Sequence, residues 1–283
     1  MILSCVSFAA LWIGIRFASR DLHPFAVVVA RNLFGLLWFA PMLLRTPGLL
    51  RRERLPVHLR RAASGLIATF ATFYAVAHLP LATALSINYT APLFATIGAV
   101  LFLGERIHVR RIAALAVGFT GMLVVLRPGI VPLTPGLVAA IVSALATGFS
   151  LVAIKHLTGS DDPRAVAAWS FVLTLPPSLV IAAPFMSVPP LASLPLLVAL
   201  GGCAALGQYS LAQAFVRAEA SALMPYDFVR FGLITTAGIV LFGEHLDGWT
   251  LAGGAVILSA TIYLAVREAA VARSIKLTAA ADT

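Results

Sequence analysis

The chain has 283 residues, 60% of them hydrophobic and 11% charged, with a mean hydropathy of +0.98. A soluble domain carries about 25% charged residues, so a soluble globular protein is excluded and a multispanning membrane protein is implied. The formal net charge of +9 does not point to nucleic acid, because the Lys and Arg residues cluster in short segments between apolar runs. That is the pattern of cations facing an anionic leaflet.

Ten apolar segments are long enough to span a bilayer. They cover residues 2–19, 25–44, 63–79, 81–103, 111–127, 135–156, 164–186, 192–215, 220–242 and 249–267. The first starts at residue 2 with no basic stretch before it, so it reads as a retained helix rather than a cleaved signal. Turn and charge signals mark the joints: His23-Pro24, Arg45-Thr46-Pro47-Gly48, Arg127-Pro128-Gly129, Asp161-Asp162-Pro163 and Pro189-Pro190. Only Leu79-Pro80 separates segments three and four. The tail after Arg267 is polar and Ala-rich and reads as disordered or surface-lying. Cys5 and Cys203 each lie inside an apolar run, which suggests neither a disulfide framework nor a metal site. No cofactor is expected.

With the N-terminus in the cytoplasm, fifteen Lys and Arg residues fall in inside segments, among them Arg45, Arg54, Arg60, Arg61, Arg110 and Arg164. Only Arg16, Arg20 and Arg127 fall outside, while Arg31 and Arg230 lie within spans. This bias predicts both termini in the cytoplasm of a cell inner (plasma) membrane protein.

Segment four runs Ala82-Thr83-Ala84-Leu85 to Leu101-Phe102-Leu103-Gly104-Glu105, and segment nine runs Ala220-Ser221-Ala222-Leu223 to Leu241-Phe242-Gly243-Glu244. The offset is 138 residues at the start and 139 at the end, and it continues from Ala113, Ala116 and Val117 to Ala252, Ala255 and Val256. Two halves of five helices each are implied, residues 1–128 and 135–267, followed by the tail 268–283. Five is odd, so the second half is inverted relative to the first. The predicted fold is an all-α polytopic membrane protein, ten transmembrane helices as a 5+5 inverted-topology repeat. Such a repeat places a binding site near the midplane between its halves.

The two Ala-x-Ala-Leu starts and the two Gly-Glu endings, with Pro24, Arg31 and Pro92, resemble the drug/metabolite transporter superfamily in its EamA-like branch. The resemblance spans nearly the whole chain. It implies a central cavity lined by helices one to four and six to nine, peripheral helices five and ten, and alternating access for a small organic solute. One departure is plain. Many members carry proline partway along the ninth helix, where this chain has Asp227 and Arg230, with the proline earlier at Pro225. The run Tyr226-Asp227-Phe228-Val229-Arg230 resembles a subset associated with uptake of S-adenosylmethionine-like or riboflavin-like solutes.

Asp227 and Arg230 share a helix face at i, i+3 spacing. Two readings stand: a structural ion pair, or a pair that faces the cavity and exchanges partners with a charged or zwitterionic solute. Tyr226 adjoins them, and Pro225 predicts a kink. Asn88, Tyr89 and Thr90, just before Pro92, need polar partners at their depth. A solute, ordered water or an interhelical hydrogen bond could each supply them. Arg31, roughly 10 Å into segment two, either snorkels outward or attracts an anionic group. Gln208 is a further candidate, because an amide in mid-span seldom faces lipid. Trp12, Tyr74 and Trp169 complete the expected substrate-binding set. Trp38 and Trp249 suit interface belts. Glu105 and Glu244 suit packing near the surface, and Asp161-Asp162 suits a turn with capping residues.

These features predict a secondary transporter for a small polar or zwitterionic metabolite, importer or exporter, and not an enzyme. No Gly-x-x-x-x-Gly-Lys motif is present, so the chain itself does not hydrolyse ATP through a P-loop. A membrane-embedded enzyme would need clustered His, Asp or Cys at one bilayer face, and a non-transporting scaffold would not need buried polar residues in two central helices. The expected partners are the lipid bilayer and a small-molecule metabolite, not nucleic acid, with a homodimer left open.

Overall fold

The computed structural model describes residues 1–46, 48–50, 53–103, 109–128, 132–158, 161–217, 223, 226–245 and 247–281. For 98–103, 109–111, 155, 158, 227, 228, 265 and 267–281 the description is of the backbone alone. The fold is helical: α1 (Ile2–Ala18), α2 (Pro24–Arg45), α3 (Leu55–His78), α4 (Leu81–Asn88), α5 (Ala91–Leu103), α6 (Val109–Leu126), α7 (Pro135–Thr158), α8 (Pro163–Ala182), α9 (Leu194–Arg217), α10 (Asp227–Phe242) and α11 (Gly248–Ala281). Helices α4 and α5 together fill segment four, so the ten expected segments have ten helical counterparts.

Local chemistry sets the helix starts. His23 caps α2 by accepting from the Phe25 N–H, with Pro24 at the first helical position. Asp162 caps α8 through the Arg164 N–H at 2.8 Å, as the turn reading expected. At its far end α10 stops on Gly243, whose φ of +63° is left-handed. The Gly243 N–H returns to the Ile239 carbonyl, the bond of an αL stop, and the Glu244 N–H to the Gly238 carbonyl.

Helix four is broken in mid-span. Pro92 has no N–H to offer the Asn88 carbonyl, so α4 ends at Asn88 and α5 restarts at Ala91. The Thr90 carbonyl takes over as acceptor, from Leu93 N–H and Phe94 N–H. Such breaks are tolerated at membrane depth only where they face protein or a cavity.

Helices α1, α2 and α3 pack against α7, α8, α9 and α10 rather than chiefly on one another. The joint core includes Trp12, Ile15, Val27, Phe73, Leu85 and Phe171. Close approach is bought with glycine: a Cβ on Gly201 would sit 2.6 Å from the Gly35 backbone nitrogen, and one on Gly148 would sit 2.5 Å from the Ala91 carbonyl oxygen. Helix α6 packs on α11 at the periphery, with a small core of Leu93, Ala114, Leu115 and Leu264.

Large apolar side chains, including Leu37, Trp38, Val180 and Val240, are exposed on the outside of the bundle. An apolar exterior over helices of this length is the surface of a polytopic membrane protein. Among the described residues, four helical stretches, Pro24–Arg45, Pro135–Ile154, Pro163–Phe185 and Leu191–Arg217, are long and apolar enough to cross a bilayer by themselves. Five more are apolar but shorter, between 10 and 17 residues.

Two details differ from the sequence expectation. Helix α3 starts at Leu55 instead of residue 63, with Pro56 in its first turn. Arg60 and Arg61 therefore belong to a helix and not to a loop. Beyond Arg267 the helix continues to Ala281, in keeping with the high helix propensity of its alanines. The Gly-Glu ending at Gly104-Glu105 and the Ala220-Ser221-Ala222 start lie outside the described residues.

Candidate functional site

The break in helix four opens onto a cavity of about 200 Å³. Helix α1 contributes Phe8 and Trp12, α2 contributes Arg31, and α3 contributes Thr69, Thr72 and Phe73. The break contributes Asn88, Tyr89 and Pro92; α7, α9 and α10 contribute Ser150, Gln208 and Arg230. Both chain halves thus supply walls. Cavity residues also include Ser4 near the start of α1, Ile154 near the end of α7 and Phe215 near the end of α9. The cavity therefore extends toward the end of the bundle where α1 begins.

Polar groups in the wall are held by neighbours. The Asn88 amide nitrogen donates to the Ser143 hydroxyl at 3.2 Å, and Ser143 in turn shares a hydrogen bond with Thr72. This ties the Asn88 amide nitrogen to α7 and α3. The Ser4 hydroxyl donates to the Gly207 carbonyl at 3.0 Å and ties α1 to α9. The Tyr89 ring lies 6.1 Å from that of Phe231.

Two arginines, Arg31 and Arg230, border the cavity, and a third, Arg61, lies close behind. Arg31 is 5% exposed. It does not snorkel: one guanidinium nitrogen donates to the Asn32 side chain at 2.7 Å, and the group lies 4.8 Å from the centre of the Phe171 ring. Asn32 is itself anchored to Ser178. Arg230 lies over the rings of Trp12 and Phe8, at 5.0 and 5.7 Å. Arg61, 4% exposed, stands behind the wall. It donates to the Val166 carbonyl at 2.8 Å, to the Ser170 hydroxyl and to the Gln208 side-chain oxygen at 3.4 Å. An arginine can only donate, so that contact fixes the Gln208 oxygen toward Arg61 and leaves its NH2 as the group to face the cavity.

Of the expected binding residues, Trp12, Arg31, Asn88, Tyr89, Gln208 and Arg230 meet at this cavity. The side chain of Asp227 lies outside the described residues, as does Pro225 with its expected kink. The structure does not bring Tyr74, Trp169 or Tyr226 to the cavity. Tyr74 stacks on His78 at 4.1 Å, one turn along its own helix. Trp169 packs on His58 at 5.6 Å, and Tyr226 is exposed. Helix α8 supplies no wall residue among the described ones, although the resemblance implied it; it supports Arg61 and Arg31 from behind. Arg61 itself escaped the sequence reading because it was counted with the loop cations. The signal that could have found it is Leu55-Pro56, a helix start two turns earlier.

The far end of the bundle is knitted shut by a different pair. The Glu244 carboxylate accepts from the Leu81 N–H at 2.8 Å and lies 3.5 Å from the Arg16 guanidinium. Arg16 also donates to the carbonyls of Val76, Ala77 and Leu79 at the end of α3. Phe17 and Phe242 pack at 4.7 Å beside it. Glu244 acts in packing, as expected, though it also borders a second cavity of about 230 Å³ with Arg127 and Asp247.

Residues 1–127 match the EamA-like transporter family. The chain is 34% identical over 238 residues to the riboflavin transporter of Rhizobium johnstonii, covering 83% of this chain and 78% of that protein. The chain belongs to the EamA-like transporter family. This EamA-like protein is also 27% identical over 268 residues to the S-adenosylmethionine uptake transporter of Rickettsia bellii, covering 94% and 92% of the two. It is 29% identical over 268 residues to the pseudopaline exporter CntI of Pseudomonas aeruginosa, covering 93% of each. A solved structure, described as "Crystal structure of protein", matches with a TM-score of 0.64 at 24% identity, over 94% of this chain and 98% of that one. That likeness establishes the fold. The relatives bear names of both uptake and export, so membership alone fixes neither solute nor direction.

Proposed function

We propose that this protein is a secondary transporter that moves a small polar or zwitterionic organic metabolite across the inner membrane by alternating access, with both termini in the cytoplasm. The observation that carries the reading is a polar-lined cavity walled by both halves of the chain and abutting a mid-span helix break. Discontinuous helices place unbonded backbone groups and polar side chains at a solute site. The cavity extends toward the end where α1 begins, while the opposite end is held by Arg16, Glu244 and the Phe17–Phe242 contact. That arrangement suits one of the two states that alternating access requires, open toward the cytoplasm. The solute touches Trp12, Arg31, Asn88, Tyr89, Gln208 and Arg230.

The test is flux in proteoliposomes against riboflavin, S-adenosylmethionine, amino acids and nucleosides. Transport of one class, abolished by Arg230→Ala or Gln208→Ala while the protein still inserts, is the expected outcome. Normal flux in both variants would refute the site. The absence of flux or thermal stabilisation with every class would favour the scaffold reading.

A further inference from the structure

We infer that the cavity is an organic-anion site: the guanidinium groups of Arg31 and Arg230, with the Gln208 amide that Arg61 orients, hold a carboxylate or phosphate of the transported solute. The assignment rests on the reading of the cavity as the solute site.

The argument begins with charge balance. Arg31 and Arg61 are almost fully buried, and both press on α8 between Val166 and Phe171. Arg31 lies over the Phe171 ring, and Arg61 bonds to Val166 and Ser170. Among the described residues their partners are an aromatic face, amide and hydroxyl oxygens and a carbonyl, all formally neutral. Among the described residues no carboxylate lies within ion-pair distance of either. No Asp or Glu is found among the described residues that line the cavity. The Nε atoms of Arg31, Arg61 and Arg230 are buried and carry no hydrogen bond. A buried ion without a counter-ion is strongly disfavoured, and a guanidinium cannot escape by losing its proton. With Arg230 set aside altogether, Arg31 still lines the cavity and Arg61 stands behind its wall at Gln208.

The donors are also oriented for an anion. Arg61 holds the Gln208 oxygen away from the cavity and turns its NH2 inward. The planar fork of a guanidinium matches carboxylate and phosphate better than a spherical ion. The remaining wall is too apolar and too large for an inorganic ion: Phe8, Trp12, Phe73 and Tyr89 enclose about 200 Å³. A solute with an anionic group on a planar or apolar body fills both parts. Arg61 acts on the solute through Gln208 and is a positioning residue.

Trp12 reports on this cavity from within, since its ring faces Arg230 at 5.0 Å. The experiment uses the full chain in nanodiscs with Trp38→Phe, Trp169→Phe and Trp249→Phe, so that Trp12 alone fluoresces. Quenching is compared for iodide, caesium and neutral acrylamide at equal ionic strength. Iodide is expected to quench about fivefold better than caesium, as one net charge at short range across a partly screened cavity gives. Arg31→Gln should lower that preference and Arg31→Lys should keep it, with acrylamide quenching unchanged in both. Arg230→Gln provides a second loss, from α10. Benzoate or phenyl phosphate, but not benzamide, should relieve iodide quenching, and the stronger of the two names the anionic group. Equal quenching by iodide and caesium would overturn the anion assignment. Relief by benzamide, or none by either organic anion, would overturn its organic part. Failure of acrylamide to quench would instead overturn the open cavity, and with it the transport reading.

Discussion

Replacing Gly148 with alanine strikes the point where α7 crosses the broken helix. The new Cβ would lie 2.5 Å from the Ala91 carbonyl oxygen and 2.9 Å from the Ala95 backbone nitrogen. Both obstacles are backbone, so no side chain can swing aside and the two helices must separate. Overpacking of this kind costs about 1–3 kcal/mol, which lowers a melting midpoint by roughly 2–4 °C per kcal/mol in a chain of this size class. The matched control is Gly65→Ala on α3, whose Cβ would meet only the Ser150 hydroxyl at an ordinary 3.7 Å. Thermal unfolding of the purified protein, followed by tryptophan fluorescence, reads both. Gly148→Ala should melt lower by about 2–12 °C, and Gly65→Ala should stay close to wild type. Equal midpoints for the two variants would refute the tight α7 crossing and the position of the break.

Pro92→Ala restores an N–H where the Asn88 carbonyl lacks one, so it should lower solute flux without lowering the melting midpoint; unchanged flux would mean that the break is not needed. Glu244→Ala strips the Leu81 N–H of its acceptor and should cost about 1–3 kcal/mol of stability, with Glu244→Gln recovering part of it in the same melting assay. Trp12→Ala should reduce flux about tenfold, as loss of roughly 1.4 kcal/mol of solute contact does. Trp169→Phe, which keeps an aromatic ring near His58, should leave flux near wild type, and the reverse ranking would relocate the site.

The fold was legible because its strongest signals are long and redundant. Apolar runs of spanning length, punctuated by Pro, Gly and Arg, located the helices, and Asp162 before Pro163 announced a capped start that the structure carries. The site was legible only in part. Asn88 and Tyr89 stood out because a proline followed them inside a span, and Arg31, Gln208 and Arg230 stood out as polar groups in apolar runs. What a single sequence could not convey is which way each side chain turns. Tyr74 and His78 stack on one another, a contact between neighbours on a helix that looks like solute chemistry until the ring positions are known. Trp169 is similar, since its partner His58 is far away in sequence. Arg61 was hidden for the opposite reason. It sits among Arg51, Arg52, Arg54 and Arg60, where the positive-inside pattern explains it fully, and only burial separates it from them.

Alternating access makes one demand that needs no knowledge of the solute: a cavity position must be reachable from both faces of the membrane. Thr69 lines the cavity on α3. With Cys5→Ser and Cys203→Ser removing the two native thiols, Thr69→Cys provides a single target for a membrane-impermeant maleimide in sealed vesicles of defined orientation. Labelling from either face is the predicted result, faster from the face that bears the start of α1. Labelling from one face only, in protein that is otherwise folded, would contradict the transporter account.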